Sequence, residues 1–217
     1  MSDDAEAVLR DGLAALGLSL SDAQVRQLLD YQSLIGKWNK VYNLTAVRDP
    51  AEMLTHHLLD SLAAVAPLQK HLQSRGLATA SLLDVGSGAG LPGVVLAICC
   101  PNLAVTCVDT VGKKAAFIKQ AALALGLSNL TGLHARVETL TQPFDAICSR
   151  AFASLVDFTS WSQAALAPGG AWMALKGKHP AEELALLPPD VAVFHVEPLA
   201  VPGLAAERCI IWLQKAG

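Results

Sequence analysis

A glycine-rich segment that follows a short apolar run is the part of the sequence best suited to binding a ligand. Residues 82–93 read LLDVGSGAGLPG, which predicts a strand, a tight turn and the start of a helix. Glycines permit positive φ angles and let a ligand approach the backbone closely. The N–H groups at the start of the following helix suit a carboxylate or a phosphate.

This turn fits two classes of ligand. Residues 88–93 match the G-x-G-x-x-G fingerprint of dinucleotide-binding proteins, but that match alone is weak. Asp84 precedes the first glycine by two residues and places a carboxylate where a pyrophosphate needs none. The pattern Asp84-x-Gly86-x-Gly88 is instead typical of proteins that bind S-adenosylmethionine, which carries an ammonium, a sulfonium and a nucleoside but no phosphate. We therefore favour S-adenosylmethionine as the cofactor and keep a NAD-dependent oxidoreductase as an alternative.

Two later segments carry candidate contacts to the nucleoside. Asp109 ends the next predicted strand, where a carboxylate can accept hydrogen bonds from both ribose hydroxyls. The alternative is that Asp109 only caps the following helix. Val137 and Glu138 follow the third predicted strand, where an adenine-contacting loop is expected, although Glu138 could equally be an exposed surface residue.

The end of the fourth predicted strand bears on the methyl acceptor. Residues 145–154 read DAICSRAFAS, without the N-P-P-Y or D-P-P-Y of enzymes that modify exocyclic amines and without a Pro-Cys nucleophile. Arg150, together with Lys176 after the fifth strand, places cations where a cleft is expected, and these suit a nucleotide or its phosphates. The alternative is an Arg150 paired with a neighbouring carboxylate such as Asp109 or Asp157.

The elements that must position these residues change character along the chain. Helical periodicity predicts three helices before residue 75, at about 8–16, 22–38 and 49–67. Short β-branched runs then alternate with helical stretches, which predicts a parallel sheet covered on both faces. The seven predicted strands are 82–85, 104–108, 130–135, 144–148, 171–175, 191–196 and 209–213. We expect an α/β, Rossmann-like class I methyltransferase fold, with residues 1–75 as a helical cap packed on residues 76–217.

Composition and charge exclude several other classes of protein. The chain has 217 residues, of which 53% are hydrophobic and 16% charged, enough for one domain with a large core. The acidic N-terminus does not fit a signal peptide, residues 91–100 are too short to span a bilayer, and five cysteines lack metal-site spacing. We expect a cytoplasmic protein with no metal and no membrane segment. Because the net charge is −3, a nucleic-acid partner would need a shaped site.

Three segments closely resemble the glucose-inhibited division protein B family: residues 84–93, 149–154 and 175–177. The patterns Asn43-Leu-Thr-Ala and His57-x-x-Asp-Ser add to this resemblance, which spans roughly residues 31 to 215. That family comprises bacterial methyltransferases that modify N7 of one guanine in 16S ribosomal RNA. The resemblance implies 16S ribosomal RNA or the small ribosomal subunit as the partner. No obligate protein partner is evident, and a monomer is expected.

The resemblance also implies the roles of individual residues. Cofactor contacts are expected at Gly86, Leu91, Val137, Glu138 and Arg150. Catalytic roles are expected for Arg150, Lys176 and Asn43, and substrate binding for His57, Lys176 and Arg208. Trp38, Tyr42 and Phe152 are candidate stacking partners for a base, with ordinary core packing as the alternative for each.

The implied reaction needs no general base. Guanine N7 carries an unprotonated in-plane lone pair, so it can attack a sulfonium methyl in line, and catalysis depends on positioning. Two further alternatives stay open: a methyltransferase that acts on a small molecule, and a non-catalytic RNA-binding assembly factor.

Overall fold

The seven predicted strands form a single sheet of β1 (Ala80–Val85), β2 (Leu103–Asp109), β3 (Leu130–His134), β4 (Phe144–Arg150), β5 (Leu166–Lys176), β6 (Val191–Leu199) and β7 (Arg208–Lys215). In the computed structural model, which describes residues 2–217 with side chains from residue 4 onward, β1 to β5 pair in parallel and β7 runs antiparallel to both β5 and β6. The order of the strands across the sheet is β3-β2-β1-β4-β5-β7-β6. The predicted α/β architecture with a mostly parallel seven-stranded sheet is thus confirmed.

Apolar side chains cover both faces of this sheet. Leu82 and Leu83 are neighbours in β1, yet they belong to different hydrophobic clusters, because successive side chains of a strand point to opposite faces. The helices after the first strand are α6 (Gly93–Cys99), α7 (Gly112–Leu125), α8 (Leu155–Ser162) and α9 (Ala181–Ala185). Every residue of α6 is buried, so the most apolar stretch of the sequence is a core helix. No helix within residues 2–217 is long and apolar enough to cross a membrane.

The N-terminal region is helical, as predicted, but its third helix is not continuous. The elements are α1 (Ser2–Ala15), α2 (Asp22–Tyr42), α3 (Pro50–Met53), a π-helical turn (Leu54–Leu59), α4 (Asp60–Leu62) and α5 (Val65–Ser74). The predicted single helix from 49 to 67 was therefore wrong in two respects. It widens into a π turn, and Pro67 lies in the first turn of a new helix rather than at the end of an old one, a place where proline is tolerated.

Helix α2 attaches the N-terminal region to the sheet domain. Its N-cap is Ser21, which forms a reciprocal capping box with Gln24, and the helix starts where the sequence predicts. The Gln24 amide then donates to the Ile98 carbonyl, and the buried Tyr31 hydroxyl donates to the Ala89 carbonyl in the glycine-rich loop. One hydrophobic cluster includes residues of both regions, so the two regions pack around a shared core.

Tyr31→Phe is expected to lower the free energy of unfolding by about 1–3 kcal/mol, because it leaves the Ala89 carbonyl without its buried donor. Urea denaturation of the variant and the unaltered chain measures the difference. Tyr42→Phe is the matched control, since the Tyr42 side chain is 39% exposed, and it should change stability little. Equal effects of the two substitutions would contradict the role given to the Tyr31 hydroxyl.

Candidate active site

The glycine-rich loop after β1 has the backbone that its sequence predicts. Gly86 and Gly88 have φ angles of 65° and 59°, in the left-handed region. A Cβ atom at Gly86 would lie 2.3 Å from the Phe152 ring, whereas at Gly88 the nearest atom would be 4.0 Å away. Gly86 therefore lets the loop and Phe152 approach closely, and Gly88 supplies the second positive φ of the turn.

Asp84 lies beneath this loop and is fully buried. Its Oδ2 accepts a hydrogen bond from the Gly93 N–H at 2.8 Å, which ties β1 to the start of α6. Its Oδ1 is buried with no hydrogen-bond partner among the described residues. Burial raises the pKa of Asp84 to about 7, although the Gly93 N–H and the charge of Arg150 lower it.

The stability of the chain is expected to depend on pH through Asp84. Its folded pKa of about 7 exceeds the ordinary value of 3.8, so between these values the folded chain keeps a proton that the unfolded chain has lost. Relative to Asp84→Asn, the unaltered chain should lose stability as the pH rises from about 4 to about 7, and the difference should then level off. Urea denaturation across this range measures it. Asp49→Asn, at the exposed N-cap of α3, is the control for the loss of a carboxylate. A stability difference between the unaltered chain and Asp84→Asn that did not depend on pH would refute the expectation.

A cleft of about 710 Å³ opens beside the loop, at the carboxyl ends of β1 and β2. Asp109 lies in its wall and accepts hydrogen bonds from the Gly88 N–H at 3.0 Å and the Val111 N–H at 2.8 Å. A carboxylate has about four lone-pair positions, so Asp109 can still accept hydrogen bonds from two hydroxyls. Asp109 is not the N-cap residue of α7, because Val111 occupies that position.

The remaining lining of this cleft, called here the cofactor cleft, is partly apolar. Val137 is buried, and the neighbouring Glu138 accepts from Arg136 at 2.8 Å, a contact that lowers the pKa of the Glu138 carboxyl. Phe152 and the half-exposed Trp161 form an edge-to-face pair with ring centroids 5.8 Å apart. A glycine cradle, a ribose-type carboxylate and an apolar wall fit a nucleoside with an attached amino acid. The residues present therefore fit S-adenosylmethionine.

A second cleft of about 350 Å³, called here the acceptor cleft, adjoins the first. Ala151, which has a φ of 53° directly after β4, lines both clefts. Other residues of the acceptor-cleft lining are His56, His57, Asp60, Arg150, Lys176 and Arg208. The structure thus brings together four of the residues singled out in the sequence: His57, Arg150, Lys176 and Arg208.

Each of the three cations of the acceptor cleft forms an ion pair. Arg150 pairs with Asp60 at 2.7 Å, and Arg208 pairs with the other oxygen of Asp60 at 2.8 Å. Lys176 pairs with Glu183 of α9 at 2.8 Å. The alternative of an Arg150 paired with a carboxylate is thus confirmed, but the partner is Asp60 of the N-terminal region and not Asp109 or Asp157.

The two histidines of the π turn differ in exposure, as expected for neighbours on a helix. His57 is buried, and its Nε2 lies 2.7 Å from the Thr45 hydroxyl, while His56 is exposed. Burial, followed by the charge of Arg150, lowers the pKa of His57. His57 is therefore a neutral, anchored residue at neutral pH.

Several predicted site residues lie outside the linings of both clefts. Leu91 is buried in the core, and Asn43 ends α2 in a left-handed conformation, where its side chain accepts from Arg48. The Trp38 ring packs between Tyr42 and Phe117, in accord with the core-packing alternative.

Sequence reasoning did not assign roles to Asp60 and Glu183, which hold the three cations. The His57-x-x-Asp60-Ser61 pattern marked Asp60, but only the fold brings it to Arg150 and Arg208. Within residues 4–217, no group of three or more His, Cys, Asp or Glu side chains could hold a metal ion. All five cysteines are free.

Comparisons with known proteins show which family the sequence matches. The family model for rRNA small subunit methyltransferase G matches residues 24–211. A protein of that name from Polaromonas sp. (strain JS666) is 75% identical over 207 residues, which are 95% of this chain and 92% of the relative. Another, from Acidovorax sp. (strain JS42), is 68% identical over 214 residues, which are 96% of this chain and 95% of the relative.

Solved structures share the fold at low sequence identity. Magnesium protoporphyrin IX methyltransferase from Synechocystis PCC 6803, solved with bound S-adenosylmethionine, has a TM-score of 0.60 and 12% identity over 86% of this chain and 98% of the other. TrmN from Thermus thermophilus has a TM-score of 0.54 and 23% identity over 75% of this chain and 53% of the other. With the near-complete match to the family model and the close relatives, the chain belongs to the rRNA small subunit methyltransferase G family, and its methyl donor is S-adenosylmethionine.

Proposed function

We propose that this chain transfers a methyl group from S-adenosylmethionine to N7 of one guanine in 16S ribosomal RNA, by direct in-line attack and without a general base. The observation that carries the proposal is the junction of two clefts at Ala151. One cleft fits the nucleoside cofactor, and the other presents Arg150, Lys176 and Arg208, which suit an RNA nucleotide.

The side chains of the cofactor cleft would hold S-adenosylmethionine. Asp109 would accept hydrogen bonds from the ribose hydroxyls, and Val137 and Glu138 would contact the adenine. Gly86 would let the ligand approach the backbone closely. Three residues outside the lining of this cleft would fix the conformation of the glycine-rich loop: Asp84, Gly88 and Leu91. When bound, the cofactor supplies an electrophilic methyl group on its sulfonium.

The side chains of the acceptor cleft would position the guanine. Guanine N7 needs no deprotonation, so the task of the chain is orientation at near-attack distance. An arginine bound to both N7 and O6 would block the reaction. We therefore propose that Arg150 contacts O6, a phosphate or the cofactor. We further propose that Lys176 and Arg208 bind phosphate and that Asn43 contributes from the rim of the acceptor cleft.

The carboxylates and the buried histidine of the acceptor cleft support a mechanism without a base. Asp60 and Glu183 are engaged in ion pairs, and His57 is buried against Thr45. We assign His57 to substrate binding or to shaping the cleft rather than to proton transfer.

The target base must leave its stack to reach a methyl group held in a cleft. Phe152 lines the cofactor cleft beside the junction at Ala151, so we propose that it contacts the extruded base. We further propose that residues 1–75 and 76–217 act as one unit and as a monomer. Because ribosomal RNA lies in the bacterial cytoplasm, we propose that the chain acts there.

Transfer of labelled methyl from S-adenosylmethionine to small ribosomal subunits tests the proposal, with subunits taken from cells that lack this gene and products resolved as nucleosides. Label in 7-methylguanosine is the expected result. Subunits from cells that contain the gene are the control and should accept little label. Cofactor binding without transfer to subunits or to naked 16S RNA would favour a small-molecule acceptor or an assembly factor instead.

A further inference from the structure

A single carboxylate joins two arginines that approach the acceptor cleft from different strands. Asp60 is 5% exposed, and its two oxygens accept from Arg150 at 2.7 Å and from Arg208 at 2.8 Å. Arg150 ends β4, whereas Arg208 begins β7. Asp60 therefore fixes the separation of two guanidinium groups that the sheet alone does not bring into contact.

The hydrogen bonds leave part of each guanidinium free for a ligand. Nη1 of Arg150 donates to Asp60 and to the His56 carbonyl. In Arg208, Nε donates to Asp60 and Nη1 to the Glu207 carbonyl. Among the described residues, Nη2 of either arginine meets no acceptor. Each guanidinium is thus held by hydrogen bonds at some of its nitrogens, and its Nη2 group can donate to a ligand in the cleft.

Electrostatics makes Asp60 necessary for this arrangement. Two guanidinium groups beside one cleft repel each other, and a carboxylate between them replaces that repulsion with two charge-assisted hydrogen bonds. Without Asp60, each arginine would regain its side-chain freedom and could turn fully toward an RNA anion. A freed arginine could also bind N7 and O6 of guanine together and block the attacking atom.

The position of Asp60 in the chain links this cluster to the helical N-terminal region. Asp60 follows the π turn at Leu54–Leu59, and its backbone N–H donates to the His57 and Thr55 carbonyls. π turns inside helices occur frequently at functional sites. The N-terminal region therefore completes the acceptor cleft rather than merely covering the sheet.

We propose that Asp60 is a positioning residue for methyl transfer, which holds Arg150 and Arg208 so that they orient the target nucleotide while leaving its reacting atom free. This inference rests on the proposed function of the acceptor cleft. It gives Asp60 a role in turnover and not in RNA affinity, since Asp60 itself repels an RNA anion.

Asp60→Asn and Asp60→Glu in the full chain test the proposal, with small ribosomal subunits as substrate and 7-methylguanosine as product. We expect Asp60→Asn to lower kcat about 100-fold, the effect of a misplacement of about 1 Å. RNA affinity should stay equal or tighten, with a steeper dependence on salt, because the freed arginines gain phosphate contacts. The KM for S-adenosylmethionine should not change, because in this proposal both arginines contact the nucleotide and not the cofactor. Asp60→Glu keeps both ion pairs and should recover part of kcat.

Asp22→Asn is the matched control, because it also removes one carboxylate but lies in an exposed ion pair with Arg10, remote from the clefts. It should leave kcat unchanged. An unchanged kcat in Asp60→Asn would overturn the proposal. Parallel losses of kcat, RNA affinity and thermal stability in both Asp60 variants would also overturn it, since they would mark a purely structural residue.

The unaltered chain separates this proposal from the proposed function. If it methylates a different nucleoside, the proposed function fails, and the kcat comparison on that nucleoside still decides the role of Asp60. If it transfers methyl to no RNA, both proposals fail.

Discussion

Gly86→Ala is expected to weaken the binding of S-adenosylmethionine by about 10- to 100-fold. At a φ of 65°, an L-residue costs about 1–2 kcal/mol, and the new Cβ would also lie 2.3 Å from the Phe152 ring. The ring must move or the loop must distort, and either change alters the cofactor cleft, which Gly86 and Phe152 both line. Each 1.4 kcal/mol lost from binding weakens the affinity about tenfold. Titration calorimetry with S-adenosylmethionine measures the effect.

Gly88→Ala is the matched control for the backbone cost alone. Its φ of 59° is similar, but a Cβ there would meet no atom closer than 4.0 Å. We expect it to weaken cofactor binding by no more than about tenfold. Truncation of the clashing ring, in Gly86→Ala with Phe152→Ala, should recover affinity relative to Gly86→Ala alone. If Gly86→Ala and Gly88→Ala weakened binding equally, the contact with Phe152 would not matter.

The strands and the glycine-rich loop could be predicted from the sequence because their signals are local. All seven strands lie where short β-branched runs predicted them, and Gly86 and Gly88 have the positive φ angles that such a turn requires. Burial on both faces makes central strands such as β1 and β4 nearly continuous apolar runs, which are easy to recognise. The same local rules predicted the end of α1 near residue 16 and the start of α2 near residue 22.

The carboxylate partners in the ion pairs of the acceptor cleft could not be predicted, since the pairs depend on contacts across long stretches of chain. Asp60 lies far in sequence from both Arg150 and Arg208, and no periodicity indicates which carboxylate an arginine meets. The π turn was missed for a related reason. Apolar spacing at three and four residues describes a regular helix, and an inserted residue changes the direction of later side chains without changing composition.

Arg150→Ala is expected to lower kcat/KM for methyl transfer about 100- to 1000-fold while the chain stays folded. Arg150 is the cation nearest the junction of the clefts, because it directly precedes Ala151, and its loss removes a donor that orients the nucleotide. The cost to folding is smaller, about 1–3 kcal/mol, since Asp60 keeps its second partner, Arg208. Most domains of this size tolerate such a loss.

Lys176→Ala should have a smaller effect on transfer, about tenfold, because Lys176 is a single point charge paired with the partly exposed Glu183. Lys119→Ala, an exposed cation on α7, is the control and should leave transfer unchanged. Initial rates on small ribosomal subunits, with thermal unfolding measured in parallel, separate lost chemistry from lost folding. A loss of transfer that only follows unfolding would make Arg150 a structural residue. Unchanged turnover in both Arg150→Ala and Lys176→Ala would refute the assignment of this cleft to the acceptor, because both cations line the cleft that shares Ala151 with the cofactor cleft.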